Sequence, residues 1–330
     1  CSGLQLRVHR FDSVLSLQNM KILITGAAGF IGYHLSNKLI EIGHEITGID
    51  NLNNYYSSSL KLHRLSLLNS KKFHFVKLDI NNINSLDPNF DLVINLAAQP
   101  GVRLPESKKS LYEISNVYGF KKIMNYCSKN SIKKFIYASS SSVYDGSSKN
   151  ISSESDKDLY PKSIYGETKL FNEIYAKKFE HSLDCLGLRF FSVYGPLGRP
   201  DMAYYSFTES LKKGQVINLH NKGLMERDMT YIDDVVEGIM LSINYLMSSK
   251  NIKNEIFNIG NDSPISTIKL LKTLEINLKT NAQIKNIDVE NESLYTHANL
   301  IKSRKILGYN PKTSFEQGIR KFLDWHQDYG

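Results

Sequence analysis

The chain has 330 residues, 41% hydrophobic and 22% charged, the balance of an ordinary globular protein able to bury its apolar surface without disulfides or structural metals. Its three cysteines, Cys1, Cys127 and Cys185, have no metal-ligand spacing, so no metal is expected, and so sparse a set suits a reducing, cytoplasmic location. The net charge of +8 comes without a dense basic run, so no nucleic-acid partner is expected, and no apolar stretch reaches the roughly 18 residues of a membrane helix.

Residues 1–19 lack a long apolar core followed by a small-residue cleavage site and read as an N-terminal extension. Met20, directly before the first strand, is the expected translation start. "KILITG" (21–26) is a short β-branched run ending in glycine, the pattern of a buried strand. "FIGYHLSNKLIEIG" (30–43) has helical apolar spacing and stops at Gly43. Strands are predicted at "HEITGID", "FHFVKLDI" and "FDLVINLAA", then a helix at "ISNVYGFKKIMNYCSKN" and a fifth strand at "KKFIYASS". "SIYGETKLFNEIYAKKFE" reads as a further helix and "DCLGLRFFSVYG" as one sixth strand. This alternation predicts a Rossmann-type, doubly wound parallel sheet over residues 20–194. After Tyr194 the rhythm breaks, and residues 195–330 read mainly as a smaller α/β substrate domain with segments returning to the sheet.

"GAAGFIG" places Gly26, Gly29 and Gly32 between a strand and a helix, where glycine permits a tight turn and close approach of a pyrophosphate to the helix N-terminus. Phe30 and Ile31 lie inside that turn. Asp50 ends the second strand 18 residues beyond Gly32, where a carboxylate can bind an adenosine ribose; it disfavours a 2′-phosphate, so the expected cofactor is NAD. As a turn former, Asp50 has a purely structural alternative. Asp79 and Ile80 close the third strand, and Leu96, Ala97 and Ala98 close the fourth. Strand carboxyl ends line the crevice of such a sheet, so these are further candidate cofactor contacts, or ordinary strand-end groups.

"YGETK" sets Tyr165 and Lys169 four residues apart, on one face of the predicted helix. A phenol ionises near pH 10, and a nearby ammonium would favour phenolate, letting Tyr165 exchange a proton with a substrate hydroxyl. A YxxxK alone is common on helix surfaces. It gains weight from the dinucleotide pattern before it and the serine-bearing strand end 25 residues upstream.

In order, "GAAGFIG", "NLAAQ", "ASSSSVY", "YGETK", "RFFSVYGP" and "RDMTYIDD" resemble the extended short-chain dehydrogenase/reductases, and among them the nucleotide-sugar 4-epimerases, over about Met20 to Leu323. "NLNNYYSSSLKLHRL", "LAAQPGVR" and "YGPLGRPDMA" are most similar to UDP-glucuronate 4-epimerases. The resemblance implies that Ser140 relays a proton beside Tyr165, and that Lys169 holds the nicotinamide ribose. The implied reaction oxidises carbon 4 of a UDP-sugar and reduces it on the opposite face, consuming no external oxidant. Related 4,6-dehydratases carry Asp-Glu at the places of Ser141 and Ser142, and related decarboxylases a Glu at the place of Ser142; hydroxyls there argue against both reactions.

Ser141, Ser142 and Ser192 are implied contacts of a sugar carboxylate, or backbone caps. The resemblance also makes Arg227 a phosphate contact and Arg199 a substrate-pocket residue, with Arg103 near the crevice. Ser139 is expected to bond within its loop, and Asp233 and Asp234 to cap the following helix. Asp145 stands where the family usually has glycine, and Glu292 and Asn299 lie in a segment that departs from the family pattern. Alternatives are a 4-epimerase for UDP-N-acetylglucosamine or UDP-glucose, a UDP-glucuronate decarboxylase, and a non-catalytic NAD- or RNA-binding relative. The resemblance further implies a homodimer built from the helices at 116–126 and 165–179.

Overall fold

The computed structural model describes residues 19–102, 104–146, 151–249, 252–289 and 294–329. Arg103 and Glu292 lie outside the described residues. The apolar runs form β1 (Lys21–Thr25), β2 (Glu45–Asp50), β3 (Phe73–Lys77), β4 (Leu92–Asn95), β5 (Lys134–Ser140) and β6 (Asp184–Phe190). Further strands are β7 (Ser192–Tyr194), β8 (Ile217–His220), β9 (Glu226–Tyr231), β10 (Asn254–Ile259), β11 (Pro264–Ser266) and β12 (Ile284–Ile287).

The large sheet is parallel and seven-stranded, in the order β10-β6-β5-β4-β1-β2-β3. The chain moves outward from β1 in one direction and from β4 in the other. The switch between them opens a crevice at the strand carboxyl ends. Alternate residues face opposite sides, so Ile22 and Ile24 enter one core while Leu23 enters the other. The helices that position the site are α1 (Phe30–Glu41), α2 (Ser58–Leu67), α3 (Gly119–Lys129), α4 (Ile164–Ala176) and α5 (Ile232–Ser248). Smaller sheets, β11-β9-β7 and β12-β8, form the other wall of the crevice.

Among the elements just named, three differ from expectation. The single strand predicted at "DCLGLRFFSVYG" is two, because the chain leaves the large sheet at buried Phe191 and β7 joins β9. The strand predicted at "FHFVKLDI" stops at Lys77, because Asp79 caps a 3₁₀ turn over Ile80–Ser85 by accepting from the Asn81 amide at 2.9 Å. Helix α2 was not predicted: the face it buries is Leu60, Lys61 and Arg64, two cations where an apolar stripe would reveal a helix.

A charge pair lies in the core beneath the crevice. Arg189 on β6 donates through Nε to Glu173 Oε1 at 2.8 Å and through Nη2 to Oε2 at 2.6 Å. The Ser139 hydroxyl donates to the same carboxylate, so Ser139 bonds into the core rather than within its loop as expected. Arg189 Nη1 donates to the Tyr144 hydroxyl, which donates to Asn258 Oδ1 at 2.9 Å. Removing one partner of such a pair leaves an uncompensated buried charge. Arg189→Met should therefore cost about 3–5 kcal/mol in urea denaturation, and Arg189→Met with Glu173→Met should recover much of it; a loss below about 1 kcal/mol for the single change would contradict this account.

Candidate active site

The crevice is one cleft of about 1160 Å³, lined from both halves of the chain. Its floor is the glycine turn. Gly26 has φ +72°, and a Cβ on Gly32 would lie 2.2 Å from the Gly26 carbonyl oxygen. A Cβ on Gly26 itself would lie 2.9 Å from the Ala97 nitrogen, so bare backbone also lets the ends of β1 and β4 close on each other. Gly29 precedes α1 with no side-chain cap, leaving the first-turn N–H groups to a ligand. This cradle, with a carboxylate at the end of β2, fits the pyrophosphate and ribose of a dinucleotide.

Asp50 takes the turn-forming role weighed for it and also stands in the cleft. Its Oδ1 accepts from the Leu52 amide at 2.8 Å, and it faces the cleft. Its ion partner is Lys61, whose Nζ lies 3.7 Å away and also donates to Asn53 Oδ1 at 2.9 Å. Burial lowers the proton affinity of Lys61, and the Asp50 charge works against that. Nothing in the residues just after Asp50 signals this cation; it arrives from α2, along with Arg64.

At the other end, Tyr165 sits in the first turn of α4, whose N-cap Ser163 accepts from the Gly166 amide at 3.1 Å. A Cβ on Gly166 would lie 2.6 Å from the Ser142 carbonyl oxygen, so glycine here lets α4 press onto the serine turn. Burial raises the Tyr165 phenol, while the Arg199 charge and a hydrogen bond from Ser140 pull it back down. The Ser140 hydroxyl also accepts from the Ser142 amide at 3.1 Å, capping a 3₁₀ turn over Ser141–Tyr144. Lys169 Nζ donates to the Ala138 carbonyl at 2.9 Å and lies 5.6 Å from the Tyr165 ring centre; burial lowers it to about 8. Arg199 thus joins Lys169, the cation expected from the sequence, as a second positive charge acting on this phenol.

Arg199 is fixed by Asp201, to which its Nε donates at 3.0 Å with a second bond from Nη2. The Tyr55 hydroxyl donates to the same carboxylate at 3.0 Å, and burial followed by the Asp201 charge pushes Tyr55 up to about 12. Arg227 donates to the Glu226 carbonyl at 2.9 Å and faces the cleft.

Every described residue named above as a catalytic, cofactor or substrate candidate lines this cleft, including Phe30, Ile31, Asp79, Ile80, Leu96, Ala97, Ala98, Ser141, Ser142 and Ser192. Asp233 and Asp234 are not the expected caps: α5 has no side-chain cap bond, and Asp234 instead accepts from the Lys312 and Thr313 amides at 2.9 and 3.0 Å. Asn299 bonds the Ile301 amide and does not line the cleft. Asn116 escaped the sequence reading. It sits in a π-helical turn, Glu113–Tyr118, leading into α3, and clasps the Gln99 backbone through N–H···Oδ1 at 2.7 Å and Nδ2–H···O at 3.2 Å. Its Nδ2 also donates to Thr168 on α4 at 3.1 Å, and no residue pattern announces such a turn.

A doubly wound sheet with a glycine cradle at its switch point, facing a buried serine–tyrosine–lysine cluster, defines a dinucleotide-dependent enzyme. The chain belongs to the NAD dependent epimerase/dehydratase family, whose model matches residues 22–260. It is 39% identical over 332 residues to protein CapI of Staphylococcus aureus, covering 94% of this chain and 99% of that one. It is 39% identical over 329 residues to UDP-glucuronate 4-epimerase 4 of Arabidopsis thaliana, covering 93% of this chain and 75% of that one. The structure of UDP-glucuronic acid 4-epimerase from Bacillus cereus, in complex with UDP-glucuronic acid and NAD, superposes with a TM-score of 0.87 at 32% identity, covering 94% of this chain and all of that one.

Asp145, where the family usually has glycine, lines the cleft. Burial raises its carboxyl to about 6, against the opposing charges of Arg227 and Lys162. Because the folded value lies above the unfolded one, the folded protein holds this proton more tightly, and stability is lost as pH rises through 6. Asp145→Asn should therefore match wild type at pH 4 and exceed it by about 1–2 kcal/mol at pH 7.5, as read from denaturation midpoints. An equal difference at both pH values would show that the carboxylate carries no such cost.

Proposed function

We propose that the protein interconverts UDP-glucuronate and UDP-galacturonate by epimerisation at carbon 4. The observation that carries this reading is the reactive end of the cleft. Ser140 and Tyr165 line it together, with Ser140 lowering the phenol, and the neighbouring cleft positions, Ser141 and Ser142, are hydroxyls rather than acids. Similarity to the UDP-glucuronate 4-epimerases supports the substrate.

When bound, NAD supplies a hydride acceptor that becomes the donor for the return step. Gly26, Gly29 and Gly32 cradle its pyrophosphate, and Asp50 takes the adenosine ribose hydroxyls. Tyr165 removes the proton of the sugar 4-hydroxyl as the carbon-bound hydrogen leaves, and returns it when the 4-ketone is reduced from its other face. Ser140 orients that hydroxyl and steadies the phenolate. Arg199 and Lys169 provide the positive field that makes phenolate accessible in a buried site. Ser141, Ser142 and Ser192 hold the sugar carboxylate, so that the β-keto acid keeps its carbon dioxide. Arg227, with Arg103, neutralises the diphosphate.

Among the described residues no helix is long and apolar enough to cross a membrane, and a cytoplasmic enzyme is our reading. We divide the chain into an NAD-binding part over 20–194 and a mainly sugar-nucleotide-binding part over 195–330. A homodimer fits the exposed apolar residues Ile114, Tyr118 and Ile174, which lie on the helical segment before α3 and on α4.

Incubation with UDP-glucuronate and no added oxidant should give UDP-galacturonate, resolved by chromatography. Release of carbon dioxide with a UDP-pentose would overturn the assignment. Tyr165→Phe should lower kcat by roughly 10²–10⁴-fold while bound NAD is retained, and undiminished turnover would remove Tyr165 from its role.

A further inference from the structure

Arg64 on α2 is wholly buried, yet it lies outside the catalytic set. Its Nε and Nη2 donate to the Leu197 carbonyl at 3.0 and 2.7 Å, and Nη2 also donates to the Gly198 carbonyl at 3.1 Å. Its Nη1 donates to the Ala28 carbonyl at 3.0 Å and to the Tyr56 hydroxyl at 2.6 Å. The acceptors are three main-chain carbonyls and a phenol. Burying a guanidinium on such partners is costly, and an apolar side chain would serve helix packing as well. The fork geometry is what an apolar residue or a lysine lacks.

The segments that Arg64 joins belong to opposite walls of the cleft. Ala28 is in the glycine turn, while Leu197 and Gly198 immediately precede Arg199. Leu197 has φ +56°, a left-handed conformation that side-chain-bearing residues seldom adopt unless held there. Its carbonyl takes two Arg64 bonds. On either side, His34 Nε2 lies 3.0 Å from the Pro196 carbonyl, and Tyr55 bonds Asp201. Arg199, at the end of this turn, lines the same cleft as Tyr165, and its charge lowers the phenol.

We infer that Arg64 is a positioning residue: it fastens the strained 196–199 turn to the glycine turn, and thereby places the Arg199 charge beside Tyr165. Arg64 does not line the cleft and makes no hydrogen bond to Tyr165. Its influence on proton transfer runs through the carbonyls of Leu197 and Gly198. This role rests on the acid–base assignment of Tyr165, though not on the identity of the sugar.

The test reads Tyr165 directly. Phenol ionisation of the holoenzyme is followed by absorbance at 295 nm against pH, with the Tyr165→Phe trace subtracted so that the other tyrosines cancel. Arg64→Met and Arg64→Lys should each move the Tyr165 midpoint upward by about one pH unit, a tenfold loss of phenolate at a given pH. Arg199→Met should do the same, and Arg64→Met with Arg199→Met should move it no further, because either change alone takes the Arg199 charge away from Tyr165. The rise of kcat with pH should follow the same midpoints. A midpoint unmoved in the Arg64 variants would overturn the inference, as would shifts that add in the double variant. Loss of bound NAD with the midpoint unmoved would overturn it too, making Arg64 a support of the glycine turn alone. Should Arg64→Met not fold, Arg64→Lys carries the test. Wild-type protein inactive on UDP-glucuronate but showing the shared shift would fault the substrate and uphold Arg64.

Discussion

The reactive end of this protein hangs on the pair formed by Glu173 and Arg189. Tyr165, Lys169 and Glu173 recur at intervals of four on α4 and share one face. Tyr165 reaches the cleft, Lys169 closes on the end of β5, and Glu173 is bolted to β6. The same carboxylate takes the Ser139 hydroxyl, and the same guanidinium takes Tyr144, so both ends of the serine turn are fixed to one buried charge pair. The geometry between Ser140 and Tyr165 is therefore decided in the core. Desolvating two ions is a poor route to stability alone, and the return here is a serine turn with one available position.

Electrostatics in the cleft follows a second constraint, which is that burial and ionisation oppose each other. Burial raises the phenol of Tyr165 and lowers the ammonium of Lys169, each toward its neutral form. The protein answers with a guanidinium, the cation least able to give up its proton. Arg199 keeps its charge while held by Asp201, and its loop is secured to the cofactor side through Arg64 and Tyr55. Helix α2 serves both ends of the cofactor floor, with Lys61 at Asp50 and Arg64 at the glycine turn.

Much of this was legible in the sequence because it depends on local pattern. Apolar runs gave the strands of the large sheet, and the glycine triplet with Asp50 marked one end of the cleft. The interval from Tyr165 to Lys169 marked a helix face that lines its other end. What was not legible depends on partners distant in sequence. Lys61 and Arg64 occupy the buried face of α2, so the helix carries no apolar periodicity. No glycine or proline falls between Leu188 and Tyr194 to mark the break at Phe191, and only the arrival of β9 beside β7 decides it. Asn116 acts from a π-helical turn that residue types do not encode. Asp201, two residues from Arg199, carries no pattern that shows its carboxylate fixing the guanidinium.

The strand order of the large sheet has a consequence for any attempt to divide the molecule. The edge beyond β6 is supplied by β10, from residues 254–259, with the whole β7–β9 region intervening. A fragment ending at Tyr194 would hold the whole glycine turn, yet leave the hydrogen-bonding edge of β6 bare from Cys185 to Phe190. Such an edge, rich in apolar residues, is a template for sticking to another copy of itself. During synthesis that edge stays uncapped until some 70 further residues have been added, an interval in which an unpaired strand edge favours association over folding.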